Sequence, residues 1–409
     1  MPDFDIVVRR ARLRAVREVL QDIAVADGRI AAMGKRVAGT GTTEIDARGG
    51  LATESFVNPH LHLCKVYTLF MTDDEAARAY HGAGMREALS AIELAARVKA
   101  KYDEHWIIKN VRRALSLAAL YGTTHIRALA DVDSKARLEG VKALLRAREE
   151  FKGVVDVQVV AFAQDGLARE PGAAELMREA MGLGADVVGG IPWIERTAAD
   201  QSDHIRFCFD LACEFDRDLS MLVDDVGNPE LRTLEATARE AAKRSWHGRA
   251  LAHHARAMAL YPNLDAVVPL MREARMSLVT DPHTGPLHAR VKELLAAGVN
   301  VCLGQDDISD SYYPFGRNNM LEVAFLAAHL LWMTTRAEME ILYDMITSRA
   351  ALAIGLPQHR LEVGAPANLV VLQAPDVLEA LREHAAPAAV VSHGNLVDQA
   401  RMRNEAAAV

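Results

Sequence analysis

Residues 55–64 read Ser-Phe-Val-Asn-Pro-His-Leu-His-Leu-Cys. A short apolar run ends at Asn58 and Pro59, and two histidines then follow two residues apart, a spacing that sets both imidazoles on one side of an extended segment. Upstream of this stretch the texture is β: FDIVV at 4–8, IAVA at 23–26 and RIAAM at 29–33, with the hairpin signal Asp27-Gly28 between the last two. Downstream, apolar runs alternate with long segments of 3.6-residue periodicity, the pattern of parallel strands buried on both faces and connected by helices. It predicts strands at Ser55–Val57, Thr124–Leu129, Asp156–Ala163, Val187–Ile191, Leu219–Val223, Ala250–His253, Met276–Thr280 and Val299–Gly304. Eight such units predict an α/β fold, a (β/α)8 TIM barrel over residues 56–354, with a doubly wound open sheet as the alternative. After residue 355 the β texture returns at Leu361–Val363, Ala367–Leu372 and Ala389–Ser392. Residues 1–55 and 355–409 are therefore expected to form one small β-sandwich domain from both chain ends.

The 409 residues carry 47 Lys+Arg against 55 Asp+Glu, a formal charge of −8, which lacks the positive footprint of a nucleic-acid binder. Half of the chain is hydrophobic and a quarter charged, so it reads as a folded globular protein without a membrane partner. The first residues hold Asp3, Asp5 and four arginines, with no apolar core of a secretory signal, so a cytoplasmic location is expected. Cys64, Cys208, Cys213 and Cys302 form no CxxC pair and fit reduced thiols. A small-molecule substrate and a homo-oligomer are the expected partners.

In a barrel the chemistry collects just after each apolar run. His60 and His62 follow the first strand, and Asp306-Asp307 follow the eighth, where the closed sheet would bring a carboxylate to both imidazoles. Imidazole nitrogen with carboxylate oxygen suits Zn²⁺ or Fe²⁺, although Asp306 would equally serve as a helix cap. The sixth strand ends in His253-His254 and the fifth in Asp224-Asp225, which makes His254 and Asp225 the candidate general acid and base. If extended, His253 and His254 point opposite ways. Gln164 follows the third strand and offers a planar ring both a donor and an acceptor.

With these residues in place the chain resembles the amidohydrolase superfamily, in the branch of cytosine deaminase and N-isopropylammelide isopropylaminohydrolase. The likeness runs through DGRIAAMG (27–34), FVNPHLHL (56–63), DVQVVAFAQDG (156–166), LGADVVGGIPW (183–193), VNVCLGQDDISDSYYPFGRNNML (299–321) and GAPANLVVL (364–372). It implies one divalent ion on His60, His62 and Asp306, with Asp306 also orienting the attacking water. By the same resemblance, Gln164 and Asp307 contact the substrate ring, His254 polarises the reacting centre, and Asp225 stands where relatives carry a proton-shuttling Glu.

The chain also departs from that pattern. Leu222 occupies the place of a strand-five histidine ligand, Leu129 that of a rim histidine, and Cys64 that of a frequent Asp. Cys64, Asp224 and His253 are candidates for the vacant ligand position, and Trp193 and His253 are candidate substrate contacts. The expected function is hydrolysis of a C–N bond, by deamination, N-dealkylamination or amide or lactam cleavage, in a small heterocyclic substrate. Leu129 and Leu222, with Trp193, Tyr312, Tyr313 and Phe315 in rim segments, predict a cavity less polar than cytosine needs, so cytosine is expected to be a poor substrate. Two other outcomes are a metal-independent hydrolase using Cys64, His254 and Asp306, and an inactive relative that only binds a small molecule.

Overall fold

The computed structural model describes residues 2–72 and 74–408. The chain begins with five strands, β1 (Phe4–Leu13), β2 (Val16–Ala26), β3 (Arg29–Gly34), β4 (Gly41–Asp46) and β5 (Ala52–Glu54). Eight more follow: β6 (Phe56–Leu61), β7 (Thr123–Asp131), β8 (Asp156–Phe162), β9 (Val187–Gly190), β10 (Asp218–Val223), β11 (Ala250–His254), β12 (Ser277–Thr280) and β13 (Val301–Leu303). Strands β14 (Leu369–Val371), β15 (Ala389–Ser392) and β16 (Asn395–Leu396) close the list.

Strands β6 to β13 pair in parallel in sequence order. A parallel bridge from Leu61 to Asp306 joins the last strand to the first, so the sheet closes as a barrel. Every residue of β6, β7, β9, β11, β12 and β13 is buried, the two-sided burial that parallel strands under a helical layer require. All eight sequence-predicted strands are present, with ends shifted by up to four residues.

Two further four-stranded sheets stand beside the barrel, in the orders β3-β2-β1-β4 and β16-β15-β14-β5. They share one apolar core, in which Ile6, Val8, Ile23 and Val25 of the first meet Ala52, Leu369, Val371 and Val391 of the second. This is the sandwich expected from the two chain ends. Two details differ from expectation. Leu361–Val363 form bends and a turn instead of a strand, and β4 and the first half of β2, rich in charged and exposed positions, join the sheet without an apolar run to announce them. No helix among the described residues is long and apolar enough to cross a membrane.

Between β6 and the helix Glu104–Leu120 lies a helical insertion with helices Glu75–His81 and Ala88–Ala95. Its apolar side, including Tyr80, Met85, Ala88 and Ile92, packs on Leu129, Phe162, Ile191, Trp193, Leu222 and Tyr312 at the C-terminal mouth of the barrel. This insertion therefore roofs the region where barrel chemistry is expected.

Candidate active site

The closure of the barrel builds the site. His62 N–H donates to the Asp306 carbonyl at 2.8 Å and Asp306 N–H donates to the His60 carbonyl at 3.0 Å, so these three residues are locked by backbone bonds before their side chains meet. The pairing of β6 with β7 slips between Asn58 and Leu61, a bulge that re-aims the histidine segment. Gly304 allows the eighth strand to approach: a Cβ there would lie 2.8 Å from the Cβ of His60. His254 and Asp306 both have φ of 66°, a left-handed conformation that non-glycine residues hold only where the surroundings impose it.

His60, His62, His254 and Asp306 are all buried, and each offers a ligand atom within 4.8 Å of the others. His60 Nε2 stands 2.9 Å from Asp306 Oδ1, and His62 Nε2 3.8 Å from the same oxygen. A tetrahedral zinc shell with bonds of about 2.1 Å sets its ligand atoms about 3.4 Å apart, so the donor set fits a divalent ion in chemistry and in span. Burial pushes His60 and His62 towards the neutral form that ligates, with the Lys65 charge adding to the effect at His62. Burial raises the pKa of Asp306, but the charge of His254 and the bond from His60 outweigh it and hold the carboxyl well below its usual range. Residue 222 supplies no donor: Leu222 sits in an apolar wall with Leu129, Ile191 and Trp193, and His254 is the fourth side chain with a nitrogen close to the group.

Around this group runs a buried charge network that the sequence reading did not anticipate. Arg256, fully buried, donates to Asp225 at 2.7 Å, to Asp281 at 3.2 Å and to Thr284 Oγ1 at 2.7 Å. Thr284 Oγ1 in turn donates to Asp306 Oδ2 at 2.7 Å, and His254 Nδ1 lies 2.9 Å from Asp281. Burial opposes a charge on His254, yet Asp281, Asp225 and Asp306 outweigh it and push its pKa up to about 9. Tyr80 of the roof donates to the second oxygen of Asp225 at 3.0 Å. Lys65 Nζ reaches Gln164 Oε1 at 3.4 Å and lies over the Tyr312 ring at 4.5 Å. Asp281 follows the seventh strand and obeys the same positional rule that found His60 and Asp306. Arg256 carries no local signal, because its role exists only once three acids converge on it.

The cavity is lined by His62, Lys65, Tyr80, Ile92, Gln164, Ile191, Leu222, Asp225, His254, Asp306, Asp307 and Tyr312. The sequence-predicted His62, Gln164, Asp225, His254, Asp306 and Asp307 thus meet on one surface. Burial and the neighbouring Asp306 and Asp310 raise Asp307 well above the carboxylate range. Four other residues lie elsewhere. His253 is fully buried beside His60, Nδ1 to Nδ1 at 2.7 Å, and Trp193 packs within the apolar wall, neither on the cavity surface. Cys64 faces away, accepting from Asp131 N–H at 3.3 Å with Tyr102 Oη at 3.6 Å, and burial pushes its thiol up to about 12. Asp224 caps the helix Thr233–Lys243, accepting from the N–H groups of Thr233 and Leu234, and is not available as a ligand.

The free space among these residues is about 20 Å³, room for about one water. Tyr80 and Ile92 of the roof line this space.

Comparison with known proteins agrees with this geometry. Residues 43–398 match the model of the amidohydrolase family. The chain is 31% identical over 398 residues to N-isopropylammelide isopropyl amidohydrolase of Pseudomonas sp. (strain ADP), covering 97% of each. It is 27% identical to pterin deaminase of Rhizobium rhizogenes, over 92% of this chain and 88% of that one. Among solved structures, 5-methylcytosine deaminase of Klebsiella pneumoniae liganded with 5-fluorocytosine superposes with a TM-score of 0.86 at 29% identity, covering 96% of this chain and 97% of that chain. A closed eight-stranded barrel with buried histidines and an aspartate at its C-terminal mouth, matched to the family over most of its length, is an enzyme's site, and the chain belongs to the amidohydrolase family.

Proposed function

We propose that this enzyme hydrolyses a C–N bond of a small heterocycle carrying an apolar or alkylated substituent. The observation that carries the reading is the buried group His60, His62, His254 and Asp306 facing an apolar wall of Leu222 and Ile191 across one cavity. The names of the similar proteins, which act on an ammelide, a pterin and a cytosine, support a ring substrate.

His60, His62 and Asp306 would hold the ion, since three protein ligands is the usual complement of a catalytic zinc site. When bound, a divalent ion supplies Lewis acidity and brings the pKa of water towards neutrality. The remaining steps belong to side chains of the chain itself. Asp306, held ionised, accepts a proton at its carboxylate while Thr284 fixes its second oxygen. His254, charged and braced by Asp281, donates a hydrogen bond towards the reacting centre. Burial raises the pKa of Asp225, and Tyr80 and Arg256 fix its two oxygens, so it is placed to carry a proton to the leaving nitrogen. Gln164 and Asp307 offer hydrogen bonds to the ring edges. Leu222 gives the cavity an apolar wall, backed by the buried Leu129, which favours an alkyl group over an amino group.

The test is turnover of N-alkylated and unsubstituted aminoheterocycles by zinc- or iron-loaded protein. A kcat/KM for an N-alkyl substrate well above that for cytosine is expected. Equal or better turnover of cytosine refutes the proposed selectivity, and chelator-insensitive turnover refutes the metal. His254→Gln separates its two roles: a proton-donating His254 loses turnover while metal content is kept, whereas loss of both makes it a ligand.

A further inference from the structure

At the opposite end of the barrel, where strands begin, a second cluster of metal-binding side chains joins the barrel to the sandwich. His125 lies near the start of β7, Asp156 is the first residue of β8, and His393 sits in the turn between β15 and β16. His393 Nε2 stands 3.0 Å from Asp156 Oδ2, and His125 Nε2 3.6 Å from the same atom. All three ligand atoms fall within 4.8 Å of one another. These separations bracket the roughly 3.4 Å expected between ligands of a tetrahedral ion with bonds of about 2.1 Å.

A ligating histidine is oriented by a partner on its other ring nitrogen. Each imidazole uses its Nδ1 for a hydroxyl, which leaves Nε2 towards the shared point: His125 Nδ1 lies 2.8 Å from Thr124 Oγ1, and His393 Nδ1 lies 3.0 Å from Ser392 Oγ. Thr124 is itself 2.6 Å from Ser55 Oγ, so the His125 ring is braced by a hydroxyl chain. His359 packs edge-on against His125 at 5.1 Å and is tied to the Ser55 carbonyl at 2.8 Å. His393 and Gly394, with φ of 51° and 78°, form the two-residue hairpin turn between β15 and β16, and Asn368 Oδ1 accepts the His393 N–H at 2.7 Å, which fixes the position of His393.

We propose that His125, Asp156 and His393 form a second divalent-metal site, suited to Zn²⁺, that clips the C-terminal sheet to the base of the barrel. Two imidazoles and one carboxylate match the zinc donor preference, and the half-exposed Asp156 and His393 leave the fourth position to solvent. The adjoining pocket gives the ion a path in. It is also lined by Lys152 and by Arg148, whose charge is already engaged by Asp186 at 3.0 Å. The base of a barrel is where residues serve stability, and a ligand of the native state alone raises stability by mass action.

The experiment counts ions. Metal-stripped full-length protein is titrated with Co²⁺, read by its visible absorption and by elemental analysis after desalting, with melting followed in parallel. The wild-type chain is expected to take two ions, a His60→Ala/His62→Ala chain one, and that chain with His393→Ala none. His393→Ala or His393→Gln alone should lose one equivalent together with part of the cobalt-dependent rise in Tm, while keeping turnover. The proposal falls if the His60→Ala/His62→Ala chain binds no Co²⁺ at millimolar concentration, or if the His393 variants keep the wild-type stoichiometry.

Discussion

Replacing Leu222 by histidine puts the unusual feature of this site to work. Leu222 is 2% exposed and lies on the cavity surface with His62, His254 and Asp306. Burying a leucine side chain contributes about 1.5–3 kcal/mol, and an imidazole left there without a partner costs about 1–3 kcal/mol more. Without metal, Leu222→His should therefore be less stable than the wild type by about 2.5–6 kcal/mol, read as a lowered urea midpoint in chelated protein. With zinc, part of that loss is recovered. Outer-shell partners alone are worth about 10–100-fold in metal affinity, so a further direct ligand should tighten zinc at least tenfold, or about 1.4 kcal/mol. The assay is competition for zinc against a chromophoric chelator, alongside urea unfolding with and without the ion. If zinc affinity is unchanged while metal-free stability drops, residue 222 does not face the donors. If metal-free stability is unchanged as well, the apolar wall has no structural weight.

Two further substitutions probe the surroundings. Arg256→Met removes the buried cation that bridges Asp225, Asp281 and Thr284, and leaving these carboxylates uncompensated should cost about 3–5 kcal/mol by chemical denaturation; a loss below 1 kcal/mol would contradict the network. Cys64, with its thiol pushed up to about 12, should stay protonated and unreactive to iodoacetamide through pH 9, gaining reactivity only as pH approaches that value. Exposed Cys213 should be the fast-reacting thiol, and Cys64→Ser should keep turnover. Rapid alkylation of Cys64 at neutral pH, or loss of turnover in correctly folded Cys64→Ser, would reverse that assignment.

The barrel was legible because parallel strands buried on both faces must be written as apolar runs, and the runs at 156–162 and 218–223 leave little else to choose. The sandwich was half legible. Strand β4 alternates half-buried and exposed residues, Gly41 to Asp46, and offers no apolar signal. At the site, period-two reasoning held through His60 and His62 and then failed. The chain enters a tight turn at Leu63–Lys65, which swings Cys64 behind the strand and brings Lys65 into the cavity. Asp281 was within reach of the rule that found Asp306. Arg256 and the roofing Tyr80 were not, because only the folded charge network and the helical insertion give them meaning.

Whether a metal ion binds here despite Leu222 decides the chemistry of the cavity. Anomalous diffraction at the zinc and iron edges, on crystals of protein purified without added metal, tests it most directly. A peak among His60 Nε2, His62 Nε2 and Asp306 Oδ1 is expected. A featureless map at that point, in protein whose turnover chelators leave intact, would contradict it.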